Sequence, residues 1–533
     1  MSRIRQWAPF LWIAALAFLF YGPSLKNGFA WDDHLVITRN AFVHDWTNFP
    51  LLFSSQYLTR LADFSALGSR FIGSGEATYR PFTTLSYFIL YSTFGLSSAG
   101  YHLANLLLHI TAAGWVFVFG KRLGLNPFTA LFGALFFTVH PMVSEAVHCV
   151  SYNENMLCLI FLLWGLWAHV VKKNSLWAGL LFLLACFSKE TGAIFFPLVM
   201  LYDLFFIFNH DPRRLAINKK IYSSYFFCLI FFLSVRFLIM RTPDSSLPAL
   251  GGTFVTAFKA VALSWAWGIY PWLVQLTLPN DPAVMASRFF ELRVLLSVFV
   301  LGLLVSSAFR WRKAVPAISF GILWFFAGMA PAFGMMMNNL AARYLYIAAP
   351  GFFWIISAGL EMGLRAARRE AWRLPAYCVV LIYFAVPVIG SDRPWRDDLS
   401  LFKHFTELYP KNAMAHSELA RRYFEKGAWE SAVNEYQTAL QIDPFWREDM
   451  LMLGVSYGML ERYPESLQVL KQALAADPAS VVAWNALAST YANMGVYDEA
   501  SRCWGRSLEL SPGNSPARAG LEQLKSVDDR VII

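Results

Sequence analysis

Apolar residues occur in long blocks along the first 391 residues, and shorter polar segments separate the blocks. Most blocks have about the 17–25 residues that a helix needs to cross the hydrocarbon core of a bilayer. The pattern therefore predicts an all-α, polytopic membrane domain. We place eleven spans at residues 7–24, 101–120, 125–143, 154–171, 175–188, 191–208, 221–240, 292–309, 314–331, 345–363 and 375–391.

Basic residues cluster in alternate loops between these spans. The clusters are Arg3 and Arg5; Lys121 and Arg122; Lys172 and Lys173; Arg213, Arg214, Lys219 and Lys220; Arg310, Arg312 and Lys313; and Arg365, Arg368, Arg369 and Arg373. With eleven spans all of them fall on one side of the membrane, which the positive-inside rule makes cytoplasmic. The sequence thus predicts a cytoplasmic N-terminus and places everything after residue 391 outside.

Two outer segments, 25–100 and 241–291, are long. Within them, residues 81–95 and 257–276 are apolar and aromatic but short or interrupted, so we predict helices lying at the outer interface, where Trp and Tyr are enriched. The block at 7–22 is also compatible with a signal peptide. Because no small-x-small cleavage site follows and many spans come after it, we interpret it as a retained span.

From about residue 392 the chain becomes polar and follows a period of 34 residues. Four sets of residues share this spacing: Pro444, Pro478 and Pro512; Leu419, Leu453 and Leu487; Tyr423, Tyr457 and Tyr491; and Ala432, Ser466 and Ala500. The period is that of tetratricopeptide repeats, in which two antiparallel helices cross closely at small residues. We predict a membrane domain at 1–391, a linker with a degenerate half repeat at 392–412, and an α-solenoid at 413–533. Its three repeats start near 413, 447 and 481, and its capping helix is at 515–525.

Composition agrees with a membrane protein. Of 533 residues, 57% are hydrophobic and 15% are charged, whereas soluble domains carry about 25% charged residues. The basic loops explain the net charge of +9, so we expect no nucleic-acid partner. The six cysteines are scattered and mostly lie in apolar blocks, which predicts no disulfide framework. The absence of N-x-S/T sequons favours a bacterial inner membrane with periplasmic repeats over an endoplasmic reticulum with luminal repeats.

Polar side chains collect at several places that the eleven-span prediction puts on the outer side, where ionisable groups beside spans are costly and usually functional. They are Asp32 and Asp33 in FAWDDHLVITRN (29–40); Arg80 in YRPF (79–82); His102, Asn105 and His109 on one face of YHLANLLLH (101–109); Glu145 in HPMVSEAV (140–147); Lys189 and Glu190 in SKETG (188–192); and Arg343 and Tyr346 in NNLAARYLY (338–346). We therefore predict that they converge on one outward-facing cavity.

Each set also has a structural interpretation that the sequence leaves open. The two aspartates could be a solvated loop start, the three residues of 101–109 could be interhelical hydrogen bonds, Glu145 could be solvated at a helix end, Lys189 could pair with Glu190, and Arg343 could neutralise Glu190.

An outward-facing membrane enzyme has no nucleotide sugars available, but it can reach a lipid-linked phosphosugar. Transfer of that sugar to a hydroxyl needs a carboxylate to accept the hydroxyl proton, which Asp32 can supply. It also needs cations to stabilise the phosphate leaving group, which Lys189, Arg343 and Arg80 can supply. Asp33 or Glu145 could position the acceptor or hold a divalent cation. No zinc-type cluster, phosphate-binding glycine loop or nucleophile elbow is evident, so no cofactor is predicted with certainty.

These stretches resemble the membrane-embedded C-type glycosyltransferases, and most closely the transmembrane-and-tetratricopeptide-repeat O-mannosyltransferases and their bacterial relatives. The similar stretches are FAWDDHLVITRN, YRPFTTLSYFILYSTFGLSSAGYHLANLLLH, HPMVSEAV, SKETGAIFFP and ARYLYIAAPG, followed by the repeats. The resemblance implies an essential base at Asp32 or Asp33, a polyprenyl-phosphate sugar donor (often mannose) and inverting transfer to a protein or glycan hydroxyl. From the predicted cavity we also expect donor- or substrate-binding roles for Arg80, His102, Asn105, Glu145, Lys189, Glu190, Arg343 and Tyr346.

Two positions depart from the family pattern. A Gly-Arg pair usually follows HPMVSEAV, whereas this chain has Tyr152 and Asn153, and Ala342 stands where a Glu usually precedes the RYLY segment. The sugar, the acceptor and any metal therefore stay open. Two other classes of protein are also compatible with the sequence: a membrane-anchored assembly scaffold whose repeats hold partners, and a carrier of lipid-linked sugars.

Overall fold

The computed structural model describes residues 2–54, 79–239, 261, 263–274, 292–332, 341–444 and 447–531. Parts of the predicted outer segments 25–100 and 241–291, and the start of the 338–346 stretch, lie outside these residues. The described residues form helices and no strand, which confirms the predicted all-α class. The chain divides into two units, Met1–Asp397 and Asp398–Ile533, and each is described by itself below.

The described part of the first unit consists mainly of apolar helices. Its described helices are α1 (Ser2–Tyr21), α2 (Ala41–His44), α3 (Pro81–Phe94), α4 (Ser98–Arg122), α5 (Pro127–Val139), α6 (Pro141–His148), α7 (Asn153–Trp167), α8 (Ser175–Ser188), α9 (Phe195–Tyr202), α10 (Lys219–Ile239), α11 (Leu292–Arg310), α12 (Pro316–Met329), α13 (Ala349–Ala366) and α14 (Arg373–Ala385).

Six helical stretches of the described residues are long and apolar enough to cross a membrane: Gln6–Lys26, Ser98–Arg122, Val150–Lys172, Glu190–Ile207, Pro212–Ile239 and Glu370–Val388. A seventh is added if the bent pair α5 and α6 counts as one span. The other predicted spans fall on α8, α11, α12 and α13, of which the first three are apolar but shorter. The chain is therefore a multi-pass membrane protein, while the count of eleven and the orientation stay predictions.

The bend between α5 and α6 places Glu145 inside the bundle. The two helices differ in direction by 56°. His140 lies at the break, where its Nδ1 accepts a hydrogen bond from the Met142 backbone N–H and its Nε2 lies 3.1 Å from the Gly268 carbonyl oxygen. Pro141 occupies the first position of α6, where a missing N–H costs nothing. The local sequence thus stops one helix and starts the next in a new direction.

Glycines allow α12 and α13 to pack closely. A Cβ added to Gly321 would come within 2.7 Å of the Gly351 carbonyl oxygen, so any larger residue would push the helices apart. Such small-residue contacts are typical of helix pairs in membranes. Beside this contact, the buried rings of Trp324 and Trp354 pack edge to face with centroids 5.3 Å apart. This packing fixes the helix that follows the turn at Arg343.

The second unit consists of consecutive antiparallel helix pairs. Its helices are α15 (Asp398–Leu408), α16 (Ala413–Glu425), α17 (Trp429–Ile442), α18 (Arg447–Met459), α19 (Tyr463–Ala476), α20 (Val481–Asn493), α21 (Tyr497–Leu510) and α22 (Ser515–Val531). The helices α16, α18 and α20 begin at the three positions predicted for the repeats.

The small residues of the 34-residue period lie where paired helices cross. Ala432, Ser466 and Ala500 are fully buried. The Ser466 hydroxyl donates a 2.8 Å hydrogen bond to the Gly454 carbonyl oxygen of the partner helix. A larger side chain at these positions would separate the two helices of a repeat, which is why the period is readable in the sequence.

Candidate functional site

The aspartate pair lies just after the turn that follows α1. The chain passes through a 3₁₀ turn at Gly22–Lys26 and then reverses at Trp31, which has a left-handed φ of 54°. Non-glycine residues adopt this conformation at a cost and often do so near functional sites. Asp32 and Asp33 follow, with only 4% and 1% of their surfaces exposed. The alternative of a solvated loop start is therefore wrong.

The Asp33 carboxylate accepts hydrogen bonds from the backbone around it. Its Oδ2 accepts a hydrogen bond from the Ala30 N–H at 3.0 Å, and its Oδ1 accepts one from the Ser151 N–H at 2.8 Å. The Cys149 thiol also donates to Oδ1, at 3.3 Å. Asp33 thus fastens the first outer segment to the start of α7, and both of its oxygens are occupied.

Asp32 has a different environment. Its Oδ2 accepts a 2.7 Å hydrogen bond from the Tyr152 hydroxyl. Its Oδ1 is buried and has no hydrogen-bond partner among the described residues. Burial raises the pKa of the Asp32 carboxyl to about 6, against the opposing effects of Arg343 and the Tyr152 hydrogen bond. Asp32 is therefore a carboxylate at neutral pH with one oxygen that can still accept a proton.

Glu145 holds Arg343 in place beside the aspartates. Its Oε2 accepts a 3.0 Å hydrogen bond from the Arg343 backbone N–H, and its Oε1 forms a 2.5 Å ion pair with the guanidinium. The guanidinium lies over the rings of Tyr152 and Tyr344, 4.7 and 5.0 Å from their centroids. The alternatives of a solvated Glu145 and of an Arg343 that neutralises Glu190 are both wrong.

A second charged cluster joins α3, α7 and the turn after α8. Glu190 binds Arg80 through both oxygens, at 2.8 and 3.1 Å. Glu154 receives Lys189 at 3.3 Å and Arg80 at 3.5 Å. Lys189 therefore pairs with Glu154 rather than with its neighbour Glu190, which corrects the local ion-pair interpretation.

The two clusters meet at Tyr344. Its ring lies under the Arg343 guanidinium and 5.9 Å from the Lys189 ammonium. Burial lowers the pKa of the Lys189 ammonium, which also donates a 2.7 Å hydrogen bond to Asn155. The structure thus brings together the aspartate pair, Glu145, Arg343, Arg80, Lys189 and Glu190, and their roles in binding or catalysis stay a proposal.

The polar side chains on one face of α4 form hydrogen bonds with neighbouring segments of the chain. His102 Nε2 lies 3.1 Å from the Gly28 carbonyl oxygen, and the Asn105 amide donates to the Cys149 carbonyl oxygen. His109 lies 2.8 Å from the Tyr346 hydroxyl through Nδ1 and 3.1 Å from the Thr138 carbonyl oxygen through Nε2. Both nitrogens of His109 are thus occupied, which fits the interhelical hydrogen-bond interpretation for this residue, and Tyr346 is one of its partners.

Sequence reasoning missed Tyr152, Glu154 and Arg236 as candidates. Glu154 and Arg236 lie inside apolar segments, so the cost of placing a charge in a membrane was a signal that could have selected them. Arg236 lies 3.9 Å from Glu190. Tyr152 carried no such signal, because a tyrosine next to an apolar block is common.

No group of three or more His, Cys, Asp or Glu side chains that could hold a metal ion occurs in the described part of the chain. The two carboxylates suggested for a divalent cation are otherwise engaged. Asp33 accepts two backbone N–H groups, and Glu145 binds Arg343 with both oxygens. These two side chains as placed do not form a cation site.

The fold and the site define a polytopic helical membrane protein with a buried charged site and C-terminal repeats. Residues 81–237 match the family described as Dolichyl-phosphate-mannose-protein mannosyltransferase, and residues 481–514 match the family described as Tetratricopeptide repeat. The first match begins directly after Arg80 and includes the helix α3. It also includes Glu145 in α6 and the ion pair of Lys189 with Glu154.

Curated proteins are similar over most of the chain. A protein O-mannosyl-transferase of Caenorhabditis elegans is 23% identical over 82% of this chain and 63% of its own length. The protein O-mannosyl-transferase TMTC1 of Homo sapiens is 23% identical over 81% of this chain and 55% of its own. The Drosophila melanogaster protein O-mannosyl-transferase Tmtc1 is 30% identical over 34% of this chain and 21% of its own.

These similarities confirm the predicted resemblance to the transmembrane-and-tetratricopeptide-repeat O-mannosyltransferases. The chain nevertheless spans less than two thirds of the length of the relatives described above. Their activity and substrates therefore apply to this chain only as a proposal.

Proposed function

We propose that this protein is an inverting glycosyltransferase that moves a sugar from a polyprenyl-phosphate donor to a hydroxyl acceptor. Mannose is the proposed sugar and a protein Ser or Thr the proposed acceptor, in line with relatives named protein O-mannosyl-transferases. The reaction takes place at the outer face of the membrane. The observation that carries this proposal is the buried Asp32 carboxylate. Its Oδ1 has no hydrogen-bond partner among the described residues, and it interacts electrostatically with Arg343, which Glu145 holds in place.

In the proposed reaction the acceptor oxygen attacks the anomeric carbon while the bond from that carbon to the phosphate oxygen breaks. Oδ1 of Asp32 takes the acceptor proton, and the bonding electrons leave with the polyprenyl phosphate. A single displacement inverts the anomeric configuration. General-base assistance of this kind is worth about 10²–10⁴-fold in rate. A pKa of about 6 keeps Asp32 ionised at neutral pH and still basic enough to assist.

Fixed positive charge supports departure of the phosphate. Arg343 and Lys189 are the proposed leaving-group cations, with Arg80 beside them. Each is held by a glutamate that is remote in the chain, so little reorganisation is needed when the phosphate gains charge. The glutamates do not cancel this effect fully, because a guanidinium has five N–H donors and Glu145 uses few of them.

The tetratricopeptide repeats are the proposed site for a protein acceptor. Their location in the periplasm of a bacterium, or in the lumen of an endoplasmic reticulum, follows from the predicted odd number of spans. A reporter that is active only outside the cytoplasm should therefore be active when it is fused after Ile533. Activity of a cytoplasm-only reporter at the same position would contradict this orientation.

The proposal is tested with purified protein in lipid nanodiscs and a radiolabelled polyprenyl-phosphate mannose. A membrane extract supplies acceptors, and a parallel reaction contains a radiolabelled polyprenyl-phosphate glucose. We expect label to enter a protein fraction by an alkali-labile bond. An assembly scaffold would transfer no label, and a carrier would move the donor between bilayer leaflets without forming a glycosidic bond.

A further inference from the structure

Tyr152 connects the candidate base with the candidate leaving-group cation. Its hydroxyl donates to Oδ2 of Asp32 at 2.7 Å. Its ring lies under the guanidinium of Arg343, 4.7 Å from the centroid. It stands in the SYNENM stretch, where the sequence departs from the family pattern, and only 5% of its surface is exposed. One side chain thus contacts the candidate base and one of the candidate leaving-group cations.

We infer that Tyr152 is a positioning residue that holds Oδ2 of Asp32, so that Oδ1 is the oxygen that accepts the proton of the acceptor hydroxyl. This inference rests on the proposed function and names the atom of the base and the residue that orients it.

The need for such a residue follows from the side chain of aspartate. Rotation about the bond to its carboxyl group is soft and nearly two-fold, so the two oxygens exchange places unless something holds one of them. Asp33 does not hold Asp32, because its own oxygens bind the backbone N–H groups of Ala30 and Ser151. Within the described part of the chain, the Tyr152 hydroxyl donates to Oδ2 of Asp32 and no group donates to Oδ1.

The Tyr152 hydrogen bond also affects the titration of Asp32. Several groups face this carboxyl: Arg343 from the turn before α13, Glu154 from α7, and Asp33 and Cys149 close by. Arg343 favours the ionised carboxylate, whereas Asp33 and Glu154 oppose it. The Tyr152 hydroxyl donates to the ionised form and therefore lowers the pKa. Loss of the hydroxyl removes one of the two interactions that keep Asp32 ionised.

The test compares the pH dependence of sugar transfer in the wild type and in Tyr152→Phe. The variant keeps the ring under Arg343 and loses only the hydroxyl. A hydrogen bond to a charged group is worth enough to shift a pKa by about one to two units. We expect the acid limb of transfer to move to higher pH by about that amount, with a severalfold loss of rate at pH 7 that is recovered near pH 9.

A matched control is Tyr87→Phe. The Tyr87 hydroxyl donates to the Ser151 carbonyl oxygen at 2.7 Å, so this variant also loses one buried tyrosine hydroxyl in the same region. It removes no bond to Asp32. We expect any loss of rate in this variant to be the same at every pH, with the acid limb unchanged.

A second variant strengthens the hydrogen bond instead of removing it. Fluorine next to the hydroxyl makes a phenol a stronger donor, so replacement of Tyr152 by 3-fluorotyrosine should move the acid limb to lower pH. This arm also keeps the inference testable if Tyr152→Phe does not fold.

Opposite shifts in the two variants support the inference. It is overturned if both variants keep the wild-type pH profile while the wild type transfers sugar and Asp32→Asn does not, because the base then works without help from Tyr152. A wild type that transfers no sugar would instead refute the proposed function, and the inference with it.

Discussion

The two units of this chain differ in where many of their ion pairs lie. In the repeat unit, ion pairs such as Arg502–Glu499 join residues one helical turn apart, and the Arg502 side chain is 73% exposed. In the membrane unit, Arg343 and Glu145 are 198 residues apart in sequence, and their side chains are 9% and 5% exposed. Exposed pairs contribute about 0–1 kcal/mol to stability, whereas buried pairs cost several kcal/mol in desolvation per ion.

This difference indicates where charge is retained for a reason other than stability. An apolar replacement of a buried ion pair is often neutral or stabilising. The membrane unit nevertheless keeps Arg343–Glu145, Lys189–Glu154 and Arg80–Glu190 around one aspartate pair. The repeat unit also has a buried pair, Arg422–Asp398, but other pairs such as Arg502–Glu499 and Arg506–Glu509 lie on exposed helix surfaces. Four measurements test this contrast.

The largest effect is expected for Asp32→Asn, which keeps size and removes basicity. Transfer should fall by about 10²–10⁴-fold, the usual contribution of a general base. The measurement is the initial rate with the radiolabelled lipid donor, together with donor binding, which should be unchanged. The control is Asp45→Asn in the same outer segment, because Asp45 is exposed and only caps a turn at Thr47. Normal transfer by an Asp32→Asn, Asp33→Asn double variant would end the enzyme interpretation.

Removal of Arg343 tests the buried pair itself. Arg343→Ala should lower transfer by about 10²–10³-fold, as when one preorganised electrostatic contact is lost. Because an unpaired Glu145 also destabilises the fold, the matched variant is Arg343→Met with Glu145→Gln, which should restore the unfolding temperature but not transfer. Arg502→Ala is the control in the exposed pair and should change neither. Near-normal transfer by Arg343→Met with Glu145→Gln would place the phosphate elsewhere.

The pH dependence of the transfer rate in the wild type should report the pKa of the buried Asp32 carboxyl. Since Asp32 acts as a base only when ionised, transfer should be half-maximal near its pKa of about 6. It should fall about tenfold for each further unit of acidity. The rate is measured from about pH 3 to about pH 9 at saturating donor, a range that includes the pKa of a solvated aspartate. A half-maximum near pH 4, as for a solvated aspartate, would contradict the burial of this group.

The smallest effect is expected from loss of the repeats. A chain ending at Asp397 keeps the first unit whole. It should transfer sugar to a small hydroxyl acceptor at close to the full rate and to a protein acceptor more slowly. Both acceptors are assayed with the same folded preparation. An equal loss with the two acceptors would assign the repeats to stability or oligomerisation.

The same contrast explains what could be predicted from sequence. The repeats depend on contacts between helices that are adjacent in the chain, so Ala432, Ser466 and Ala500 record the helix crossings as a period. The apolar blocks likewise predict membrane helices from local composition. The helices at α8, α11 and α12 show the limit of this reasoning, because their length leaves the number of spans unsettled.

The sequence could predict candidate residues of the site but not the contacts between them. Outer-side polarity selected Asp32, Glu145, Lys189 and Arg343, and the structure brings these residues together. The sequence could not predict which residues form ion pairs with each other. Lys189, for example, is followed by Glu190 in the chain and yet forms its ion pair with Glu154. Such pairs depend on how the helices pack, and a sequence records no distances between remote residues. For the same reason the contact between Tyr152 and Asp32 became visible only in the structure.

The hydrogen bonds of Asp33 have a consequence for how the protein is assembled during synthesis. The Asp33 carboxylate links Ala30 to Ser151, and the described helices α2 to α6 lie between them in the chain. A nascent chain that has inserted only its first helix cannot form this link, so the loop that carries Asp32 is not yet set. Under the proposed function, the base is therefore positioned only after the later helices have entered the bilayer, so an incomplete chain is expected to be inactive.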